Sequence, residues 1–125
     1  MNLNQVKKLM ERKKTSRKGE NGRSLIIGGS EEYVGAVALA GLAALRAGCD
    51  VVTVATPEKV AWAVNKYAPD LITQKVKFAF TVKLAKEMVK NADKFDATLI
   101  GNGITRKADK FCSYFIKKSP QLKVV

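Results

Sequence analysis

The chain has 125 residues, enough for one domain, with 46% hydrophobic and 27% charged residues, a globular balance that buries roughly two-thirds of the unfolded surface. It contains no histidine, and its two cysteines, Cys49 and Cys112, stand far apart, which argues against zinc sites and histidine-based acid–base or triad chemistry. The net charge of +12 is uneven: +6 over residues 1–23, +1 over 24–103 and +5 over 104–125, so basic ends suited to anionic partners flank a nearly neutral body.

Residues 2–14 place Leu3, Val6, Leu9 and Met10 on one helical face with Lys7, Lys8, Arg12 and Lys13 around them, which predicts an amphipathic helix. Residues 15–23 are polar and glycine-punctuated, a loop. A strand over 24–27 runs into Gly28-Gly29-Ser30, with Ser30 placed as N-cap and Glu31 and Glu32 in the first turn of a helix over 32–47. Gly48 ends that helix. Residues 51–54 form a β-branched strand, Pro57 opens a helix over 58–67, and Pro69 stops it. A strand over 71–76, a helix over 82–92, an apolar strand over 97–100, the turn Gly101-Asn102-Gly103 and a helix over 107–118 follow, and a further strand starts at Leu122. Strands separated by helices predict the α/β class, with parallel βαβ units and right-handed crossovers. Two parts result: a basic helix and loop over 1–23 and an α/β body over 24–125. The first residues are polar with no apolar segment behind them, and the apolar run 34–45 is too short to cross a bilayer, so the expectation is a cytoplasmic protein with no membrane partner.

Two strand–glycine–helix junctions stand out, Gly28-Gly29-Ser30 and Gly101-Asn102-Gly103. In an open parallel sheet they fall at the carboxyl ends of strands, where free backbone N–H groups and a helix N-terminus can hold an anion. The same glycines serve equally as tight turns. No G-x-x-x-x-G-K-[ST] string is present, and Gly101-Asn-Gly-Ile-Thr-Arg106 misses G-x-G-x-x-G at its last position. Arg106 is within reach of a phosphate at that junction, or is a solvated surface arginine. The small residues Ala38, Ala40, Gly41, Ala43, Ala44 and Ala47 read as a packing face, whereas Gly35 and Ala36 sit at the helix start facing the loop. Trp62 and Tyr67 read as core or interface packing. The tract Arg12-Lys-Lys-Thr-Ser-Arg-Lys18 lacks interleaved aromatics and reads as a solvated arm, which disfavours nucleic acid as a partner. Among the carboxylates Glu31, Glu32, Asp50, Asp70 and Asp96, spacing alone nominates no catalytic base.

Taken in order, Lys18-Gly-Glu-Asn-Gly-Arg23, Ile26-Ile-Gly-Gly-Ser30, Tyr33-Val-Gly-Ala36, Ala43-Ala-Leu-Arg-Ala-Gly48, Val51-Val-Thr-Val-Ala55, Ala68-Pro-Asp70 and Leu99-Ile-Gly-Asn-Gly103 resemble the N-terminal half of the ADP/ATP-dependent NAD(P)H-hydrate dehydratases of the ribokinase-like superfamily. The resemblance implies a three-layer α/β/α sandwich with a mainly parallel sheet, a partial ribokinase-like fold. It also implies repair of hydrated NADH and NADPH, in which ADP or ATP, with Mg2+, drives loss of water through phosphorylation of the substrate hydroxyl and elimination. With the two junctions, it makes Gly28, Gly29, Ser30, Gly35, Ala36, Gly101, Asn102 and Gly103 the residues expected to line the dinucleotide pocket. Asn102 stands where the family often has proline.

The family's G-[ST]-G-D string, which supplies an anion hole and the presumptive base, does not occur in this chain, nor does the Asp-Ala-Asp-type segment expected after Val125. The expectation is therefore a truncated, substrate-binding half that is inactive alone and lacks the nucleotide site. A strand at 122–125 would leave an apolar sheet edge open. Three things would cover it: a separately encoded C-terminal half, association as a homo-oligomer, or residues lost at a non-native chain end. The alternative expectation is a non-catalytic nucleotide- or RNA-binding basic α/β protein.

Overall fold

The computed structural model describes residues 2–119 and 123–125; the predicted strand start at Leu122 lies outside them. In chain order the elements are α1 (Leu3–Met10), β1 (Arg23–Ile27), α2 (Val34–Arg46), β2 (Val51–Pro57), α3 (Glu58–Tyr67), β3 (Ile72–Val76), α4 (Val82–Val89), β4 (Ala97–Ile100), α5 (Asp109–Lys118) and β5 (Lys123–Val124). Single 3-10 turns precede β4 (Ala92–Lys94) and α5 (Arg106–Ala108).

The five strands form one all-parallel sheet in the order β3-β2-β1-β4-β5. Strand alternation divides the core. Leu25, Ile27 and Ala55 face Ala85, Met88, Phe111 and Phe115 of α4 and α5, while Ile26, Val52 and Val54 face Val37, Ala38, Val60 and Val64 of α2 and α3. The result is the expected three-layer α/β/α sandwich. Phe111 is fully buried, 5.0 Å from Phe80 and 6.2 Å from Phe115 between ring centroids.

The observed elements differ from the expected ones mainly at helix ends. α2 begins at Val34 rather than residue 32, because Ser30 Oγ accepts the Tyr33 N–H at 3.2 Å and closes a local turn instead of capping the helix. Glu31 and Glu32 are thus exposed and outside the helix, and Glu31 pairs with Lys59 at 3.2 Å. The helix expected over 82–92 stops at Val89 and tightens into a 3-10 turn. The N-terminal helix spans only Leu3–Met10, capped by a reciprocal Asn2–Gln5 box. Its apolar positions Leu3 and Met10 are 71% and 59% exposed. Trp62 and Tyr67 are also exposed rather than core, Trp62 carrying the Lys75 ammonium 4.2 Å over its ring.

The basic segment is attached at the amino edge of the sheet by one carboxylate. Asp50 Oδ2 accepts the N–H groups of Gly19 (3.0 Å) and Asn21 (3.0 Å) and the Asn21 side-chain amide (2.9 Å), and Oδ1 pairs with Arg12 at 3.2 Å. Arg12 also donates to the Gly48 carbonyl. These bonds, the backbone N–H of Asn21 first among them, hold the Asp50 carboxyl below its ordinary range.

Candidate functional site

The chain leaves β1 toward β2 and β3 on one side of the sheet, then returns across β1 to form β4 on the other. β1 and β4 are therefore neighbours at the point where the winding direction reverses, with Ile27 opposite Ile100. The crevice beyond their carboxyl ends is where open α/β sheets bind ligands. Gly28 and Gly101, 73 positions apart in sequence, immediately follow those two strands.

The two junctions pack directly on each other rather than facing across an open gap. Gly101 donates its N–H to Ile27 O at 3.0 Å, Gly29 donates to Asn102 O at 2.9 Å, and the Asn102 side-chain amide donates to Ala36 O at 3.2 Å. A Cβ on Gly103 would come within 2.9 Å of Ala36 Cβ and 3.1 Å of Tyr33 O. A Cβ on Gly28 would lie 2.8 Å from Asn102 Oδ1. All eight nominated residues thus gather at one edge, but Gly28, Gly29 and Gly103 are glycines because other protein atoms approach them closely.

The amides of Gly28 and Gly29 are not free, contrary to expectation: Gly28 donates to Ala55 O at 3.1 Å and Gly29 to Asn102 O. The backbone donors left without an intrahelical partner at this edge are instead the first-turn N–H groups of α2, whose N-cap Tyr33 offers no side-chain bond. Gly35 and Gly101 have open space, with nothing within 4 Å of an added Cβ. Ala36 is half-buried against the Gly103 turn, and Ser30 is buried, its hydroxyl already accepting from Tyr33. One residue at this edge escaped the sequence reading. Thr56, fully buried at the end of β2, has a hydroxyl without a partner, 2.6 Å from where a Gly29 Cβ would be. A threonine closing a strand carries no sequence signal of that role.

Three of the five carboxylates left open by spacing have structural partners, while Glu32 and Asp70 are exposed. Asp50 holds the N-terminal segment, Asp96 accepts the Arg23 N–H at 2.7 Å, and Glu31 pairs with Lys59. Arg106 is exposed. Among the described residues no three Cys, Asp or Glu side chains gather as potential metal ligands. A cavity of about 550 Å³ lies at the opposite edge of the sheet, between Met10, Arg12, Ala44, Ala47 and Asp96. A smaller apolar groove of about 120 Å³ continues it along Ala40, Ala44, Ala97, Leu99 and Val125. No helix among the described residues is long and apolar enough to cross a membrane.

An all-parallel sheet between two helix layers, with glycine turns at the reversal point, defines a doubly wound α/β protein. A ribokinase-like superfamily protein from Enterococcus faecalis superposes with a TM-score of 0.79 over 99% of this chain at 20% identity, though over only 43% of its own chain. The Carb_kinase family, described as NAD(P)H-hydrate dehydratase, matches residues 24–122, and the chain belongs to that family. It is 44% identical over 101 residues to the bifunctional NAD(P)H-hydrate repair enzyme Nnr of Methanothermobacter thermautotrophicus, covering 80% of this chain and 20% of that protein. It is 39% identical over 98 residues to the ADP-dependent (S)-NAD(P)H-hydrate dehydratase of Cenarchaeum symbiosum, covering 74% of this chain and 33% of that protein. The chain thus spans a fifth to a third of the length of these relatives.

Proposed function

We propose that this chain supplies the substrate-binding half of an ADP- or ATP-dependent dehydratase of hydrated NADH and NADPH, and that it is inactive alone. The observation carrying this reading is the crevice at the reversal point. There the uncapped first turn of α2 points N–H donors at the carboxyl edge, and Gly35 and Gly101 leave room beside them. A dinucleotide brings phosphates for those donors and flat rings for the cleared space. The nucleotide and its Mg2+ would be held by residues outside this chain, because the G-[ST]-G-D string that the resemblance assigns to the nucleotide site does not occur in this sequence.

The partner is a C-terminal half of the same fold. The groove along Ala40, Ala44, Ala97 and Leu99 is contiguous with the cavity under Met10 through Ser24, Ala44 and Ala97, and it ends at β5. The E. faecalis protein of this fold has more than half its chain beyond the part matched here, and the proposed partner is such a remainder, seated over this groove. The test is to incubate the chain with hydrated NADH and ADP or ATP with Mg2+, alone and with the C-terminal half of a homologous dehydratase. Dehydration by the pair and none by the chain alone is the expected result. Robust turnover by the chain alone would reject the inactive-half reading, and absence of dinucleotide binding even by the pair would reject the function.

A further inference from the structure

We propose that Asn102 is a positioning residue that ties the first turn of α2 to both glycine junctions and so presets the crevice. The proposal rests on the reading that the dinucleotide lies against that turn.

Asn102 is half-buried and makes connections to three segments. Its backbone carbonyl takes the Gly29 N–H at 2.9 Å, and its side-chain Nδ2 donates to Ala36 O at 3.2 Å. Its Oδ1 is fully buried against Gly28 with no hydrogen-bond partner. A buried acceptor without a donor is unfavourable, so the amide is not kept here for its oxygen; the favourable contact it makes is the bond to Ala36. That bond matters because Tyr33, the N-cap of α2, makes no side-chain capping bond, and Ser30 Oγ, which accepts the Tyr33 N–H, belongs to the loop before the helix rather than to the β4 side. Without it, the turn carrying Gly35 would be held to the β4 loop by packing between Gly103, Ala36 and Tyr33 alone. A proline at this position would keep a carbonyl for Gly29 but have no donor for Ala36. This chain therefore fixes the helix start by a hydrogen bond that a proline-bearing turn cannot make.

The tests are Asn102→Ala, which removes the donor, and Asn102→Asp, which keeps size and shape but sets an acceptor against the Ala36 carbonyl. In the chain alone, amide hydrogen exchange is followed at α2 residues 38–40 and at Ile26 and Leu99. Loss of one such bond is expected to speed exchange at the start of α2 about 5-fold in both variants, leaving the strand amides unchanged. With the C-terminal half and hydrated NADH, KM is expected to rise about 5-fold with kcat within about twofold, since Asn102 acts on placement rather than on the reacting atoms. An Asn102→Asp variant indistinguishable from wild type would overturn the proposal, as would exchange accelerated uniformly through the sheet. If the wild-type pair binds no dinucleotide but exchange at α2 responds as stated, the clamp stands and the substrate reading falls.

Discussion

Gly29 and Gly35 lie six positions apart, and the structure gives them opposite reasons for being glycine. Gly29 has φ +77°, and a Cβ there would lie 2.6 Å from Thr56 Oγ1 and 3.2 Å from Val37. Gly29→Ala combines left-handed strain with a buried clash and should cost about 2–4 kcal/mol, read by urea denaturation. Gly35 is helical and exposed, with nothing for a methyl to touch. Gly35→Ala should therefore stabilise the fold by about 0.5 kcal/mol, because the glycine's backbone entropy is no longer lost. If the dinucleotide lies there, the same variant should bind it more weakly in the presence of the C-terminal half. A more stable variant with unchanged dinucleotide affinity would remove Gly35 from the pocket. The sequence places both glycines at the junction but does not separate them, because the atoms that crowd Gly29 come from β2 and α2.

Among the elements, the helices of the two layers differ in what holds them. α5 is pinned by Phe111 and Phe115, both fully buried and stacked at 13°, with Phe80 against the first ring. Phe111→Ala should cost about 3–5 kcal/mol, comparable to the whole stability of a small domain, and the variant is expected to be largely unfolded by circular dichroism. The N-terminal segment is held instead by polar bonds to Asp50. Because the Asn21 and Gly19 amides and Arg12 hold the folded Asp50 carboxyl below its ordinary range, the ionised form is the one that binds the loop. Its stabilising effect is full above about pH 4 and is lost as pH falls through the folded value. The Gly19 and Asn21 amide resonances should shift together on acidification below pH 4, and Asp50→Asn should leave them insensitive to pH in that range. Independent titration of the two amides would reject Asp50 as their common anchor. The division between residues 1–23 and 24–125 is thus a change of composition, while Asp50 physically joins the two parts.

In the whole molecule, the groove beside α2 is where the proposed C-terminal half would dock. Ala40 is half-buried in it, and an arginine there would place an unpaired charge in any interface formed over the groove. Ala40→Arg should leave the chain folded and weaken its association with a homologous C-terminal half at least about 10-fold by titration calorimetry. Gln74→Arg, on the opposite face beside α4, should not. Equal affinities for the two variants would place the partner elsewhere.

Much of this was legible in the residues. The strand over 97–100 and the helix over 58–67 appear as expected, because β-branched and apolar runs between glycine and proline leave little choice of local structure. The motif series identified the family, and the nominated residues lie together at the carboxyl edge of the sheet. What local signals left undecided is long-range. Periodicity places Trp62 and Tyr67 on a helix but not on which side of it the core falls, and both turned out exposed. Only the order β3-β2-β1-β4-β5 brings Gly28 beside Gly101 and turns two separate glycine turns into one crevice. Only packing shows that Gly28 and Gly29 have already used their amides while Gly35 stands clear, because hydrogen-bond partners and close approaches depend on segments distant in sequence.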